Sequence, residues 1–261
     1  MILFYRRGAL GDTLLTFPVL EILKRRGKRI LAVGNVDYFN IAKQAGWVDE
    51  INYEIPHMDF EKVIKVSVDG DVKPFPERRV WIVDHYLESL GLKDIYSRLL
   101  NMIPLKDNPL RGKAVIHPSS GSARKNPQIE LFLRIEEYLK KHGYEVIYLI
   151  GEADKWVKKY VSRIYESENP TEMAKALSNA RLFVGNDSGV SHLASYVGVP
   201  SFIFYGPTDP LVWKPIGEKV YQISLNLPCS PCFPYTCQER LCLNTDTLFK
   251  SFIKAIKSLM I

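Results

Sequence analysis

The sequence has little cysteine, and what it has is crowded: all four fall between Cys229 and Cys242 in the pattern C-x2-C-x4-C-x4-C. Thiols so clustered do not make the spread disulfide framework of a small secreted domain. In a reducing compartment Cys229, Cys232, Cys237 and Cys242 suit a structural zinc or another metal better than two disulfides, and a four-thiolate site leaves no open position for chemistry. Pro228, Pro231 and Pro234 fit equally well a rigid Cys-rich loop holding no ion. No apolar run nears the roughly 18 residues of a membrane-crossing helix. The opening MILFYRRGALGD carries Arg6 and Arg7 after its apolar stretch, the reverse of a secretory signal, so a cytoplasmic chain is expected. No H-E-x-x-H, G-x-S-x-G or paired-carboxylate hydrolase signature occurs, and the separation of His117 from His192 gives no case for a metal pair. No catalytic metal is therefore expected. The charge imbalance is small, 35 Lys and Arg against 29 Asp and Glu, for a net +6. It favours an anionic partner without choosing among nucleotide, glycolipid, nucleic acid and membrane surface.

What is present is organised around Arg181 to Pro210. An apolar run to Val184 meets Gly185-Asn186-Asp187-Ser188-Gly189, a helix-like segment to Val197 follows, and Gly198 and Pro200 precede a second apolar run to Tyr205. This reads as one βαβ unit. Its polar turn can cap the helix with Asn186, Asp187 or Ser188, while Gly185 and Gly189 allow close approach by a ligand, and a helix start attracts anions. His192 lies on the same face one turn later. A second polar turn, Gly206 to Pro210, should stand at the carboxyl end of the adjacent parallel strand, where open α/β sheets bind ligands.

The same alternation begins the chain. Met1–Tyr5 reads as a buried strand, Thr13–Arg26 as a helix that Pro18 either kinks or begins after Thr16, Ile30–Gly34 as a strand and Val36–Ala45 as a helix. Weaker strands are expected around Ile51 and Val63–Val68, and helices over Val80–Leu90 and Ile95–Leu100. Pro104–Gly112, polar and aperiodic, is the best linker candidate. Beyond it come strand Ala114–His117, helix Ile129–Lys141, strand Glu145–Ile150, a helix opening at Gly151-Glu152, a short helix over Glu172–Leu177, the central unit, strand Val220–Leu225 and a closing amphipathic helix over 247–259. The division is into residues 1–108, and 109–261 carrying the Cys-rich loop 229–242.

Three further groups can carry chemistry. Gly8 to Asp12 follows the first strand without being G-x-G-x-x-G; Asp12 can cap the helix or accept a proton from a bound hydroxyl. His117-Pro118-Ser119-Ser120-Gly121-Ser122 with Lys125 can hold phosphate oxygens, although it is not the ATPase P-loop. Glu152 can accept from ribose hydroxyls or serve only as a helix-start acid.

In order and spacing, GALGDTLLTFPVL from Gly8, HPSSGSARKNP from His117 and GNDSGVSHLASYVGVPSFIFYGPTDPLVWKP from Gly185 resemble glycosyltransferase family 9, the ADP-heptose:lipopolysaccharide heptosyltransferases. The resemblance implies the GT-B architecture, two Rossmann-like doubly wound domains facing a central cleft, with acceptor on the N-terminal side and nucleotide sugar on the C-terminal side. It implies Asp12 as general base; Ser119, Ser120 and Lys125 as phosphate loop; Glu152 as ribose acid; and Asp187, Ser188, Gly189 and His192 as the sugar-diphosphate turn. Arg6 and Arg7 are candidates for acceptor binding. The expected activity is inverting, metal-independent transfer of heptose from an ADP-sugar to an anionic glycolipid, the inner core of lipopolysaccharide, with no required cofactor and peripheral contact at the inner membrane. The competing readings are a related transferase for another nucleotide sugar, and a non-catalytic nucleotide- or nucleic-acid-binding module. The latter lacks an aromatic-basic stripe, so no nucleic-acid partner is expected.

Overall fold

The computed structural model describes residues 1–232 and 237–258, with Glu152 and Ala153 described by backbone alone. The chain starts with β1 (Ile2–Arg6), α1 (Leu10–Leu14) and α2 (Phe17–Arg25). Pro18 separates the two helices by entering the first turn of α2, where its missing N–H costs nothing. Next come β2 (Ile30–Gly34), α3 (Val36–Gln44), β3 (Glu50–Asn52), β4 (Lys62–Val66) and α4 (Ile82–Ser89). The Asn35 side chain starts α3 by accepting from the Asp37 and Tyr38 N–H groups. These strands form a parallel sheet in the order β3-β2-β1-β4.

The second sheet comprises β5 (Ala114–His117), β6 (Val146–Ile150), β7 (Ile164–Glu166), β8 (Leu182–Asn186), β9 (Ser201–Tyr205) and β10 (Val220–Ser224), in the order β10-β9-β8-β5-β6-β7 and parallel throughout. Its helices are α5 (Ile129–Lys141), α6 (Pro170–Leu177), α7 (Gly189–Tyr196) and α8 (Thr245–Lys257). This is the doubly wound order, and its switch point lies between β5 and β8. The Ser119 loop and the Asp187 turn both leave the sheet there. The expected GT-B arrangement of two Rossmann-like sheets is thus the observed one.

Helices on both faces of the second sheet bury nearly every residue of β6, β8 and β9, whereas the first sheet packs its helices on one face and keeps only a small cluster of Leu3, Leu31 and Val33 on the other, where Val63 of β4 is 45% exposed. One core packs β5, β6, β8 and β9 against α5 and α8. The other runs continuously from α2 and α3 under the first sheet into α6 and α7 under the second. Tyr196 of α7 meets Phe17 at 6.5 Å and Trp47 at 6.0 Å between ring centroids. Helix α1 packs on α7, and α3 on α6. The sheets are therefore joined by a shared helical layer, and the tip of α7 faces the tip of α1.

Several expectations change. Residues 95–100 are not helical: the Ser97 N–H donates to both carboxylate oxygens of buried Glu21, and the Leu100 N–H to the Tyr196 carbonyl, so this irregular segment spends these backbone donors on neighbours instead of its own turns. Residues 104–112 are irregular but docked, with Asn108 Nδ2 donating to the Ala176 carbonyl at 2.9 Å and Leu110 fully buried. The helix opening at Glu152 is a 3-10 helix through Lys159, and β7 follows it. Helix α8 begins at Thr245 because Asn244 caps it, accepting from the Thr247 N–H at 3.0 Å; residue 259 of the expected span lies outside the described residues.

Candidate active site

The site is built on two glycines. A Cβ on Gly189 would stand 2.8 Å from Leu10 Cβ and 3.1 Å from the Gly11 nitrogen, and one on Gly11 would stand 3.0 Å from the His192 ring. At Gly189 only hydrogen lets the starts of α1 and α7 meet as they do, and at Gly11 a methyl would push on the His192 ring. Their meeting encloses a pocket of about 150 Å³ lined by Ala9, Gly11 and Asp12 from the first sheet's side and by Lys125, Asp187, Ser188, Gly189, His192, Thr208 and Trp213 from the second.

Asp12 divides its carboxylate between two tasks. Oδ2 accepts from the Ala9 N–H at 3.2 Å, closing the start of α1, and lies 3.8 Å from the Arg6 guanidinium. Neither contact uses Oδ1, and the side chain, 34% exposed, lines the pocket. Capping and proton acceptance are therefore compatible in one residue. Arg6, expected near an acceptor, is only 6% exposed and lies beneath Asp12, with Nη1 donating to the Val66 carbonyl at 3.4 Å. The Tyr86 phenol, pushed up to about 12 chiefly by burial, feels both charges. Arg7 does face outward: Nη2 donates to the Tyr53 carbonyl at 2.8 Å, and its guanidinium sits 4.5 Å from the Tyr53 ring centroid.

Across the pocket, Ser188 caps α7, its hydroxyl accepting from the Ser191 N–H at 3.3 Å. Capping with Ser188 spends one of the free N–H groups at this helix start and leaves others for an anion. Lys125 Nζ donates to the Asp187 carboxylate at 2.9 Å and to its carbonyl at 3.1 Å, which uses two of its three protons and leaves one over. His192 is held neutral because burial lowers its pKa below the usual 6.5, against the pull of Asp187 and Asp12, and its Nδ1 is buried without a partner.

Ser119 and Ser120 stand in the expected loop but outside the pocket wall. The Ser119 hydroxyl donates to Asp154 and the Ser120 hydroxyl to Asn126 Oδ1 at 2.7 Å, so these side chains shape the loop. Asn126 in turn accepts from Asn186 Nδ2 at 3.2 Å, tying the β5 loop to the β8 turn. The Glu152 side chain lies outside the described residues. Sequence reasoning missed Thr208 and Trp213 as pocket residues. The Gly206–Pro210 turn signalled the first; a lone Trp signalled nothing.

The four cysteines are unpaired thiols. Cys242 is raised in pKa by burial and then by Cys232, Cys237 and Cys229, so the thiols share a neighbourhood. Yet among the described residues no three His, Cys, Asp or Glu are placed to hold a metal ion. The Cys232 N–H donates to the Pro207 carbonyl of the β9 turn at 2.8 Å. Among the described residues no helix is long and apolar enough to cross a membrane.

The family model for glycosyltransferase family 9 (heptosyltransferase) matches residues 104–243. Lipopolysaccharide heptosyltransferase 3 of Escherichia coli K12 is 26% identical over 162 residues, 52% of this chain and 46% of that protein. The chain spans less than half the length of the curated relatives it matches. Among solved structures, the ADP-heptose lps heptosyltransferase II of E. coli superimposes with a TM-score of 0.70 at 13% identity, covering 100% of this chain and 99% of that one. The TibC glycosyltransferase of enterotoxigenic E. coli, described as iron-containing and dodecameric, gives 0.75 at 17% identity over 99% and 76%. At these identities the superpositions speak for the fold.

Proposed function

The chain belongs to glycosyltransferase family 9, and from that premise we propose that it transfers a heptose from an ADP-heptose to the inner core of lipopolysaccharide, with inversion and without a metal. The observation that carries this reading is the single pocket that Asp12 shares with Lys125 and the Ser188-Gly189 tip. In the proposed step Asp12 Oδ1 takes the proton of an acceptor hydroxyl as that oxygen attacks the anomeric carbon. The bond to the diphosphate breaks on the opposite side, where charge develops on its terminal oxygen. The free N–H groups of α7 and the remaining Lys125 proton meet that charge, which removes the need for a divalent cation. Asp187 acts through Lys125, since a carboxylate facing a diphosphate would repel it.

The pocket's volume of about 150 Å³ accommodates the reacting end of such a donor. The nucleoside then extends along the β5 and β6 ends, where the backbone of Glu152 lies. The division into an acceptor-side unit, residues 1–108, and a donor-side unit, 109–261, belongs to this proposal. So do a cytoplasmic site, salt-sensitive contact with the inner membrane, and Arg7 as an acceptor contact. A structural zinc or another metal at the four cysteines also belongs to this proposal; metal analysis of purified protein, with thiol reactivity before and after chelation, decides it.

The test is transfer by the purified chain in the presence of EDTA, with product stereochemistry read by NMR. Asp12→Ala is expected to lose about 100- to 10,000-fold in turnover, the usual weight of general-base effects, while binding ADP as before. Full activity in Asp12→Ala, or transfer only with another nucleotide sugar, overturns the base assignment or the donor assignment respectively.

A further inference from the structure

The turn after β9 borders the pocket and has no part in the step above. Thr208 and Trp213 line that pocket beside Asp12 and the α7 tip. Thr208 Oγ1 is shut off from solvent and has no hydrogen-bond partner, a costly state for a hydroxyl unless something binds it. A change between staggered χ1 wells exchanges hydroxyl and methyl around a threonine Cβ, so a ligand can recruit this group without backbone movement.

The turn is also held more firmly than a loop without function requires. Asp209 accepts from Arg79 Nε at 2.5 Å and Nη2 at 3.0 Å, a two-point clasp arriving from the first sheet's side of the molecule. The Leu211 N–H donates to Asp209 Oδ1 at 2.9 Å and the Trp213 N–H to the Asp209 carbonyl at 3.0 Å. The Trp213 carbonyl accepts from the Tyr205 hydroxyl at 3.2 Å. The indole meets Phe75 nearly at right angles, with centroids 6.1 Å apart. An indole and an unsatisfied hydroxyl lining one pocket are the groups that recognise a sugar: the ring packs on the C–H face of a pyranose, and the hydroxyl pairs with one of its own.

We propose that Thr208 and Trp213 form the subsite that reads the transferring sugar of the nucleotide-sugar donor, held in place by the Arg79–Asp209 clasp. The proposal rests on the transferase reading and adds to it the residues that choose the sugar. The nucleotide diphosphate is bound by Lys125 and the α7 tip and does not depend on this turn. Sugar recognition and nucleotide recognition are therefore separable by mutation.

Isothermal titration of ADP and of ADP-heptose against the full chain separates them. Thr208→Val is expected to weaken ADP-heptose roughly 5- to 10-fold, the worth of one neutral hydrogen bond, and to leave ADP within about twofold. Thr208→Ser restores the hydroxyl and most of the loss. Trp213→Leu weakens ADP-heptose by about tenfold with ADP again unchanged. Equal binding of ADP-heptose by Thr208→Val and the unmodified chain overturns the subsite, as does parallel loss of ADP and ADP-heptose in both variants. An unmodified chain that binds neither ligand instead overturns the nucleotide-sugar reading, and this inference with it.

Discussion

The carboxyl edges of the two sheets are built differently. At the edge of the second, the turns are locked by buried side chains: Asn186 Nδ2 donates to the Pro118 carbonyl at 2.8 Å, Ser191 donates to the Asn186 carbonyl, and Ser119 to Asp154. At the edge of the first, the segments after β3 and β4 leave Tyr53, Met58, Val68 and Phe75 half or more exposed, with Arg7 lying over Tyr53. A donor common to a family can be held by an over-determined backbone. An acceptor that differs among members is better met by surface loops that tolerate change. On the proposed reading, anion binding belongs to the rigid edge and acceptor choice to the adaptable one, while Asp12, at the start of α1, carries the base across from the first sheet.

Gly189→Val places branched carbons against Leu10 and the Gly11 backbone, neither of which can yield far. Forcing the α1 and α7 tips apart should abolish detectable transfer and cost roughly 1–3 kcal/mol of stability in chemical denaturation, by the usual size of overpacking. A variant as active as the parent would show that the tips need not meet.

Lys125→Ala removes the ammonium and releases Asp187 toward the ligand. ADP affinity should fall by roughly ten- to a hundredfold, as expected for losing a charge-assisted hydrogen bond and exposing a like charge. Tyr53→Ala, on the adaptable edge, should leave ADP affinity unchanged and raise the acceptor KM only a few-fold, by roughly the 0.5–1 kcal/mol of an exposed cation–π contact. If Tyr53→Ala weakened ADP instead, the two edges would not divide the labour as described.

A smaller effect sharpens the account of the buried histidine. Burial lowers the pKa of His192 in the folded chain below 6.5. The unfolded chain therefore binds more protons as pH falls through 6.5, and stability declines as the pH drops below neutral. Replacing His192 with Gln should flatten that slope in denaturation midpoints measured between pH 7.5 and 5.5. An unchanged slope would assign it to other groups.

Much of this was legible in the chain. Helix α5 spans Ile129–Lys141 as its apolar period requires, and the break at Pro18 follows from proline's missing N–H. The adjacency of the β8 and β9 turns followed from the βαβ unit. What could not be read depends on partners distant in sequence. Ile95–Leu100 has a helix-like composition, yet Glu21 and Tyr196 take its backbone donors. Arg6 looks like a surface cation until Asp12 and Val66 surround it. The Arg79–Asp209 clasp joins residues 130 apart, and no local pattern marks either. The three-residue strand β7 is too short for alternation to register.

The central claim is that a proton acceptor from one sheet and an anion-binding helix tip from the other act on one sugar between them. A crystal structure of the chain with ADP-heptose tests it most directly. The account predicts the diphosphate within hydrogen-bond reach of the Gly189 N–H and Lys125 Nζ, and the sugar between Asp12 Oδ1 and the Thr208 turn. A diphosphate bound elsewhere, such as the open groove by Trp156 and Tyr160, or a sugar out of reach of Asp12, would contradict it.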